Sequence, residues 1–237
     1  PFVFEKTDEG EMSILKQNKN YWNKEYKTDV DVIHWHSIPD EQTRKLALES
    51  GQVDVLGLSE HAISLPYSAI SQLKQNSTYG IIKEPEDNYT SVVILSMNYK
   101  EGKMTNPDLR RAFSTMFNSE EIVKTALFDV PNACEYLYNP KYKDGPPKEL
   151  KYGYDLEAAK KNLEKAGYMV GNENTPTKDK EGNALVLKLV TYNREYQKDM
   201  AVYMQAAAAK LGIQLDIQNA GDSTYIDAMQ KGEYDLT

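Results

Sequence analysis

Residues 185–219, LVLKLVTYNREYQKDMAVYMQAAAAKLGIQLDIQN, decide the fold. Leu185, Val186, Leu187, Leu189 and Val190 form a short apolar run, the pattern of a strand buried on both faces. Met200, Ala201, Tyr203, Met204, Ala207, Ala208 and Leu211 then recur at three- and four-residue steps, which predicts an amphipathic helix. Lys210 in its last turn and Gly212 just beyond are stop signals. Ile213, Leu215 and Ile217 alternate with polar residues, a second strand. A strand–helix–strand unit of this length predicts a right-handed parallel crossover. Ligands of such units meet the carboxyl end of the strands, here Tyr192 and Asn193.

Outward from this unit, helical and strand patterns alternate. Two short β runs, 2–5 and 12–16, flank the turn Asp8-Glu9-Gly10 and predict a hairpin. A third strand spans 30–38, with Trp35 on the core side. Asp40 caps a helix that Gly51 closes. Short strands are expected at 53–56, 79–83 and 92–95, and a helix at 63–75. Asn106-Pro107-Asp108 starts a helix carrying Leu109, Ala112, Phe113, Met116 and Phe117. Ser119-Glu120-Glu121 starts another, and Asp155 caps one that Gly167 stops. Residues 131–150, with four prolines, form an irregular stretch. Residues 171–182 read as a hairpin-like insertion, and Asp222-Ser223-Thr224 caps a last helix ended by Gly232. The class is α/β with an antiparallel hairpin at the start.

The 237 residues are 40% apolar and 27% charged, enough to build a core in one large domain or two small ones. No apolar run reaches the length of a membrane span. The net charge of −8 and the lack of a basic stripe argue against nucleic acid as the main partner. The single Cys134 excludes an internal disulfide and reads as a small packed residue. No Gly-rich phosphate loop, His-Glu metal motif or Gly-x-Ser-x-Gly elbow is present, so the chain does not read as an enzyme. Pro1 and the strand-like Tyr234-Asp235-Leu236-Thr237 suggest an internal fragment, truncated at its C-terminus.

A series of motifs resembles the solute-binding proteins of ABC importers in the peptide/nickel class, extracellular solute-binding protein family 5. They are Pro1-Phe2, Asn20-Tyr21-Trp22, Ile38-Pro39-Asp40 with Arg44, and Ala47-Leu48-Glu49-Ser50-Gly51-Gln52-Val53-Asp54. Then follow Ser96-Met97-Asn98, NPDLRRA from Asn106, YDLEAAKKNLEKAGY from Tyr154, and Lys231-Gly232-Glu233-Tyr234-Asp235. Ile63-Ser64-Leu65, Asp179-Lys180-Glu181-Gly182 and Ser223-Thr224-Tyr225 resemble the nickel branch most. Met116-Phe117-Asn118 departs from the Ala-Ile-Asp triplet common in the family, a structural change.

The resemblance implies a type II periplasmic-binding-protein-like fold, with mixed sheets flanked by helices. Residues 1–86 would be an incomplete part of lobe one and 87–237 lobe two and its cleft wall, with the crossing near Pro85 to Asn88. It implies an extracytoplasmic protein, periplasmic or lipid-anchored, that is a monomer and hands its ligand to a membrane permease. The ligand would be nickel with an organic chelator, or in the peptide branch an oligopeptide; no cofactor is implied. An α/β hydrolytic enzyme is the remote alternative.

Tyr225 is the first candidate for a ligand contact, resembling a cleft tyrosine of the nickel branch at a helix N-terminus that favours anions. Tyr192, Asn193 and Arg194 follow, because the opening strand ends there and a guanidinium can pair with a ligand carboxylate. His34 and His36, at i and i+2 on a strand, share a face and suit nickel, but no third ligand is visible near them. Their alternative is a solvated strand face. His61 reads as a surface residue, and Arg110 and Arg111 as structural ion pairs or solvated surface.

Overall fold

The computed structural model describes residues 1–8, 12–57, 65–81, 92–134 and 153–237. Contacts divide the chain into two compact units, Pro1–Leu65 and Pro66–Thr237. The linker expected at 84–88, the turn at Glu9-Gly10, His61 and most of 131–150 lie outside the described residues.

In the first unit, β1 (Phe2–Asp8), β2 (Met12–Gln17) and β3 (Val32–His36) form an antiparallel sheet in the order β1-β2-β3. A register shift between Phe4 and Lys6 marks a bulge in β1. Helix α1 (Glu41–Glu49) follows, and the Asp40 carboxylate accepts from the Thr43 amide at 2.8 Å, as the cap reading required. Trp35, expected in the core, is 64% exposed. No strand forms at 53–56, where Val55 is 75% exposed. An apolar run becomes a strand only when a neighbour takes up its backbone hydrogen bonds, and this one pairs with none.

In the second unit, β4 (Val186–Tyr192) and β5 (Gln214–Ala220) pair in parallel from Val186↔Gln214 to Tyr192↔Ala220. Helix α6 (Glu195–Ala209) makes the crossover between them, as the sequence predicts. Leu236 lies parallel to β4 and Met97 antiparallel to Leu236, so two short extended strips widen the sheet. The Ser96 amide donates to the Thr237 carbonyl at 2.6 Å and the Asn98 amide to the Asp235 carbonyl at 2.9 Å. The strand expected at 92–95 is thus displaced: pairing begins at Ser96, while Val93 and Ile94 are exposed.

Strand alternation sorts β4 between two layers. Leu187 and Leu189 join a core built with Ala201, Met204 and Ala208 of α6 and with α3 (Pro107–Met116) and α5 (Leu156–Lys165). Val190, from the opposite face, packs with Ala220 and with Ala228 of α7 (Asp222–Lys231). Helix α2 (Tyr67–Lys74) and the short α4 (Ser119–Thr125) complete the described α-helices. Asn118, not Ser119, caps α4, accepting from the Glu121 amide at 3.1 Å. Gly221, not a side chain of Asp222-Ser223-Thr224, stands at the cap of α7.

Arginines lock two helix starts in the same way. Arg44 donates to the carbonyls of Ile38 and Pro39 at 2.6 and 2.8 Å, and Arg110 to those of Met104 and Thr105 at 2.7 and 2.9 Å. Arg111 pairs with Asp108 at 2.8 Å. Both Arg110 and Arg111 are therefore structural. The insertion at 169–184 folds back on the α6–β5 turn: the buried Thr177 donates from its amide to Gly212 and from its hydroxyl to Leu211.

Candidate functional site

The carboxyl ends of β4 and β5 and the starts of α6 and α7 meet at one edge of the second unit's sheet. Tyr192 lies on the same face of β4 as Val190 and therefore faces α7. Its ring stacks on Tyr225, with centroids 3.8 Å apart and planes 24° from parallel. The Arg194 guanidinium carbon sits 4.7 Å from the centroid of Tyr192, cation–π geometry. One Arg194 nitrogen lies 3.9 Å from the exposed Asp222 carboxylate, an ion pair beyond hydrogen-bond length. The Tyr225 hydroxyl is 2.6 Å from that of Thr237. Thr191 donates to the Asn219 side chain at 2.8 Å across the strand pair. Asn193 is exposed, and its amide closes the edge by donating to the Ala220 carbonyl at 2.8 Å.

Three of the four sequence candidates, Tyr192, Arg194 and Tyr225, thus form one cluster, and Asn193 borders it. Desolvation, the Tyr225 ring and the Asp222 charge raise the Tyr192 phenol above its ordinary value, and Arg194 opposes them. The phenol therefore stays protonated at neutral pH and can donate.

Sequence reasoning missed a second part of this edge. Tyr67, first residue of α2, meets Tyr196 of α6 edge to face at 5.8 Å, and Ser68 approaches the Glu195 carboxylate at 3.4 Å. These contacts bring the start of α2 to the start of α6. The two segments are far apart in sequence, and the one local signal was the tyrosine at each helix start.

The helix caps separate the edge from the rest of the unit. Asn106, Asn118 and Asp155 cap α3, α4 and α5 through their side chains, whereas α2, α6 and α7 have no side-chain cap. All three uncapped starts lie at this edge, where first-turn amides carry partial positive charge. Glu195 and Asp222 offset part of that charge.

Burial, with Tyr196 beside it, pushes the Tyr67 phenol from 10.0 up to about 12. A raised phenol stabilises the fold fully below pH ~10, and that contribution is lost between pH ~10 and ~12 as the unfolded chain ionises first. Tyr67→Phe is expected to remove this part of the alkaline destabilisation, read as a smaller fall in urea midpoint between pH 9 and about 11.5.

His34 and His36 share the exposed face of β3, with ring centroids 6.5 Å apart. Among the described residues no group of three or more His, Cys, Asp or Glu is placed to hold a metal ion. A hollow of about 380 Å³, lined among others by Asn98, Glu101, Lys188 and Asp235, lies at the opposite, amino edge of the strands. Its polar groups brace the backbone: Asn98 donates to the carbonyls of Gly232 and Tyr234, and Asp235 accepts from the Lys188 amide. We therefore place the candidate site at the carboxyl edge.

The parallel βαβ core thus carries aromatic and cationic groups at its carboxyl edge, the edge where open α/β sheets meet their ligands. All 237 residues match the family model of the bacterial extracellular solute-binding proteins, family 5 (middle region), and the chain belongs to that family. The nickel-binding periplasmic protein of Escherichia coli K12 is 23% identical over all of this chain and 44% of its own length. The oligopeptide-binding protein AppA of Bacillus subtilis is 23% identical, over all of this chain and 42% of its own. NikA from Brucella suis, solved with Fe(III)-EDTA, superposes with a TM-score of 0.83 at 22% identity, over all of this chain and 46% of that one. The chain thus spans less than half the length of these relatives, and the last likeness establishes the fold.

Proposed function

We propose that this chain is the middle part of the substrate-binding component of an ABC importer, and that the Tyr192–Arg194–Tyr225 edge is one wall of its ligand cleft. The observation that carries this reading is the stacked Tyr192–Tyr225 pair with Arg194 over it, among three helix starts without side-chain caps. The phenols and first-turn amides donate and Arg194 is cationic, so the wall favours a ligand with carboxylates and apolar surface. Such a ligand would compete with Asp222 for Arg194, since that ion pair is loose and exposed.

We favour a metal chelate, with nickel as the metal and carboxylates of a small organic chelator meeting this wall. The metal would be bound through its chelator, so His34 and His36 would take no part. An oligopeptide is the second reading, favoured by the oligopeptide-binding relative. In either case ligand would shift open and closed states by its differential contacts, and the closed form would deliver it to a membrane permease outside the cytoplasm. The crossing between lobes would lie at 84–88. The compact units divide earlier, before α2.

Calorimetric titration of the full-length parent protein with nickel–histidine and with a peptide library separates the readings. Saturable binding of the chelate supports the first, and binding of peptides alone the second. Binding of neither, by a folded protein, overturns both.

A further inference from the structure

We infer that Gln197 is a ligand-recognition residue whose side-chain carbonyl accepts an N–H of the ligand. The wall then takes a carboxylate ligand that also carries N–H groups, an amino-acid chelator or a peptide, in preference to an all-carboxylate chelator. The inference rests on the cleft wall proposed above and adds a second ligand group that this wall reads.

Gln197 Oε1 is buried without a hydrogen-bond partner, and it is the one such side-chain atom among the described residues. Buried acceptors are nearly always paired, because an unpaired one has given up its bonds to water for nothing. The local partner is already taken. Gln197 is the third residue of α6, the position from which a glutamine commonly accepts from the amide of the cap residue. Here that amide, of Arg194, donates to the Tyr192 carbonyl at 2.8 Å instead.

Helical spacing places the residue. Gln197, Ala201 and Gln205 follow at four-residue steps and share one face of α6. Ala201 is buried in the core with Leu187 and Leu189, and Gln205 donates to the Leu215 carbonyl at 2.7 Å. From Gln205 back to Gln197 the helix spans about 12 Å, which matches four residues of strand at about 13 Å. Helix α6 starts at the carboxyl ends of the strands, so Gln197 stands level with Asn219, the register partner of Thr191. The Thr191 hydroxyl is taken too, because it donates to Asn219 Oδ1 at 2.8 Å.

Helical side chains lean toward the helix N-terminus, so the Gln197 carboxamide leans toward the carboxyl edge. The residue as a whole is half-buried, and rotation of its own side chain brings the oxygen to a ligand. Arg194 lies three residues away in the same first turn. One turn thereby offers a cation for a carboxylate and an acceptor for an N–H, the two groups that an amino acid or a peptide presents together.

The test is Gln197→Met in the full-length parent protein, since methionine keeps the length of the side chain and removes the acceptor. Gln197→Leu serves should the methionine variant fail to fold. Calorimetric titration uses nickel–histidine, the tightest-binding peptide of the library above, and nickel–citrate, whose chelator has no N–H. Affinity for the N–H-bearing ligand that the wild type binds is expected to fall about 3- to 10-fold, the loss of one hydrogen bond. Affinity for nickel–citrate is expected to stay as it was. Urea unfolding without ligand is the second readout, with a midpoint at or above that of the wild type expected, because a buried unpaired acceptor is gone. Unchanged affinity for the N–H-bearing ligand, or an equal fall for nickel–citrate, would overturn the inference. So would a lowered midpoint, which would show that the Asn219 amide or a buried water already satisfies the oxygen. Binding of neither nickel–histidine nor any peptide by the wild type overturns the proposed function and this inference with it, whereas binding indifferent to the substitution overturns this inference alone.

Discussion

Replacing Gly212 by alanine is expected to remove about 3 kcal/mol or more of unfolding free energy. Gly212 closes α6 at φ +65°, a left-handed conformation that a side chain makes unfavourable. A Cβ there would also overlap the Thr175 carbonyl oxygen and come within 2.8 Å of the Thr177 amide. Those atoms belong to the insertion that folds back on the α6–β5 turn, and Thr177 holds it there through the Gly212 and Leu211 carbonyls. They are backbone, so the overlap is relieved only by moving the insertion off the turn. Gly182→Ala is the control. Gly182 also has a positive φ, +88°, but nothing lies within 4 Å of its would-be Cβ. It is expected to cost about 1 kcal/mol, the conformational part alone. Urea unfolding of the 237-residue chain and both variants checks the pair; equal losses would show that contact with the insertion contributes nothing.

Phe113→Ala is expected to cost about 3–5 kcal/mol, the range for deleting a fully buried aromatic side chain. Phe113 is 1% exposed and sits on the α3 face with Leu109, Ala112 and Met116, all equally buried. Its ring meets Phe117 edge to face at 5.9 Å. The same core joins α3, α5, α6 and the sheet, so the cavity would open where several elements meet and the site could collapse little. Denaturant unfolding with an unchanged slope and a lowered midpoint is the expected signature. A loss below about 1 kcal/mol would mean that this core repacks freely.

Much of the fold was legible because its signals are local. The β4–α6–β5 crossover followed from apolar spacing, and the caps at Asp40, Asn106 and Asp155 from residue type next to a helical pattern. The misreadings have physical causes. The run at 92–95 is apolar, but a strand needs a partner backbone, and Leu236 and its neighbours provide one only from Ser96 onward. At 118–119 two good cap formers stand side by side, and only the backbone extended at Asn118 decides between them. Trp35 was placed inward by alternation, which identifies a face but not whether anything covers it. The site was half legible. Alternation along β4 puts Tyr192 with Val190, but its stacking on Tyr225 depends on the rotation of α7. The Tyr67–Tyr196 contact depends on how α2 packs against α6 and has no local signal.

The central claim is that the Tyr192–Tyr225–Arg194 edge is a wall of the ligand cleft. It is tested most directly by the affinity of the full-length parent protein for its ligand, compared with the Tyr192→Ala/Tyr225→Ala double variant. The account predicts that affinity falls at least ~10-fold, since the stacked pair and both phenol donors are lost together. Circular dichroism and the urea midpoint would show that the variant is folded. Unchanged affinity in a folded double variant would place the ligand elsewhere and contradict the account.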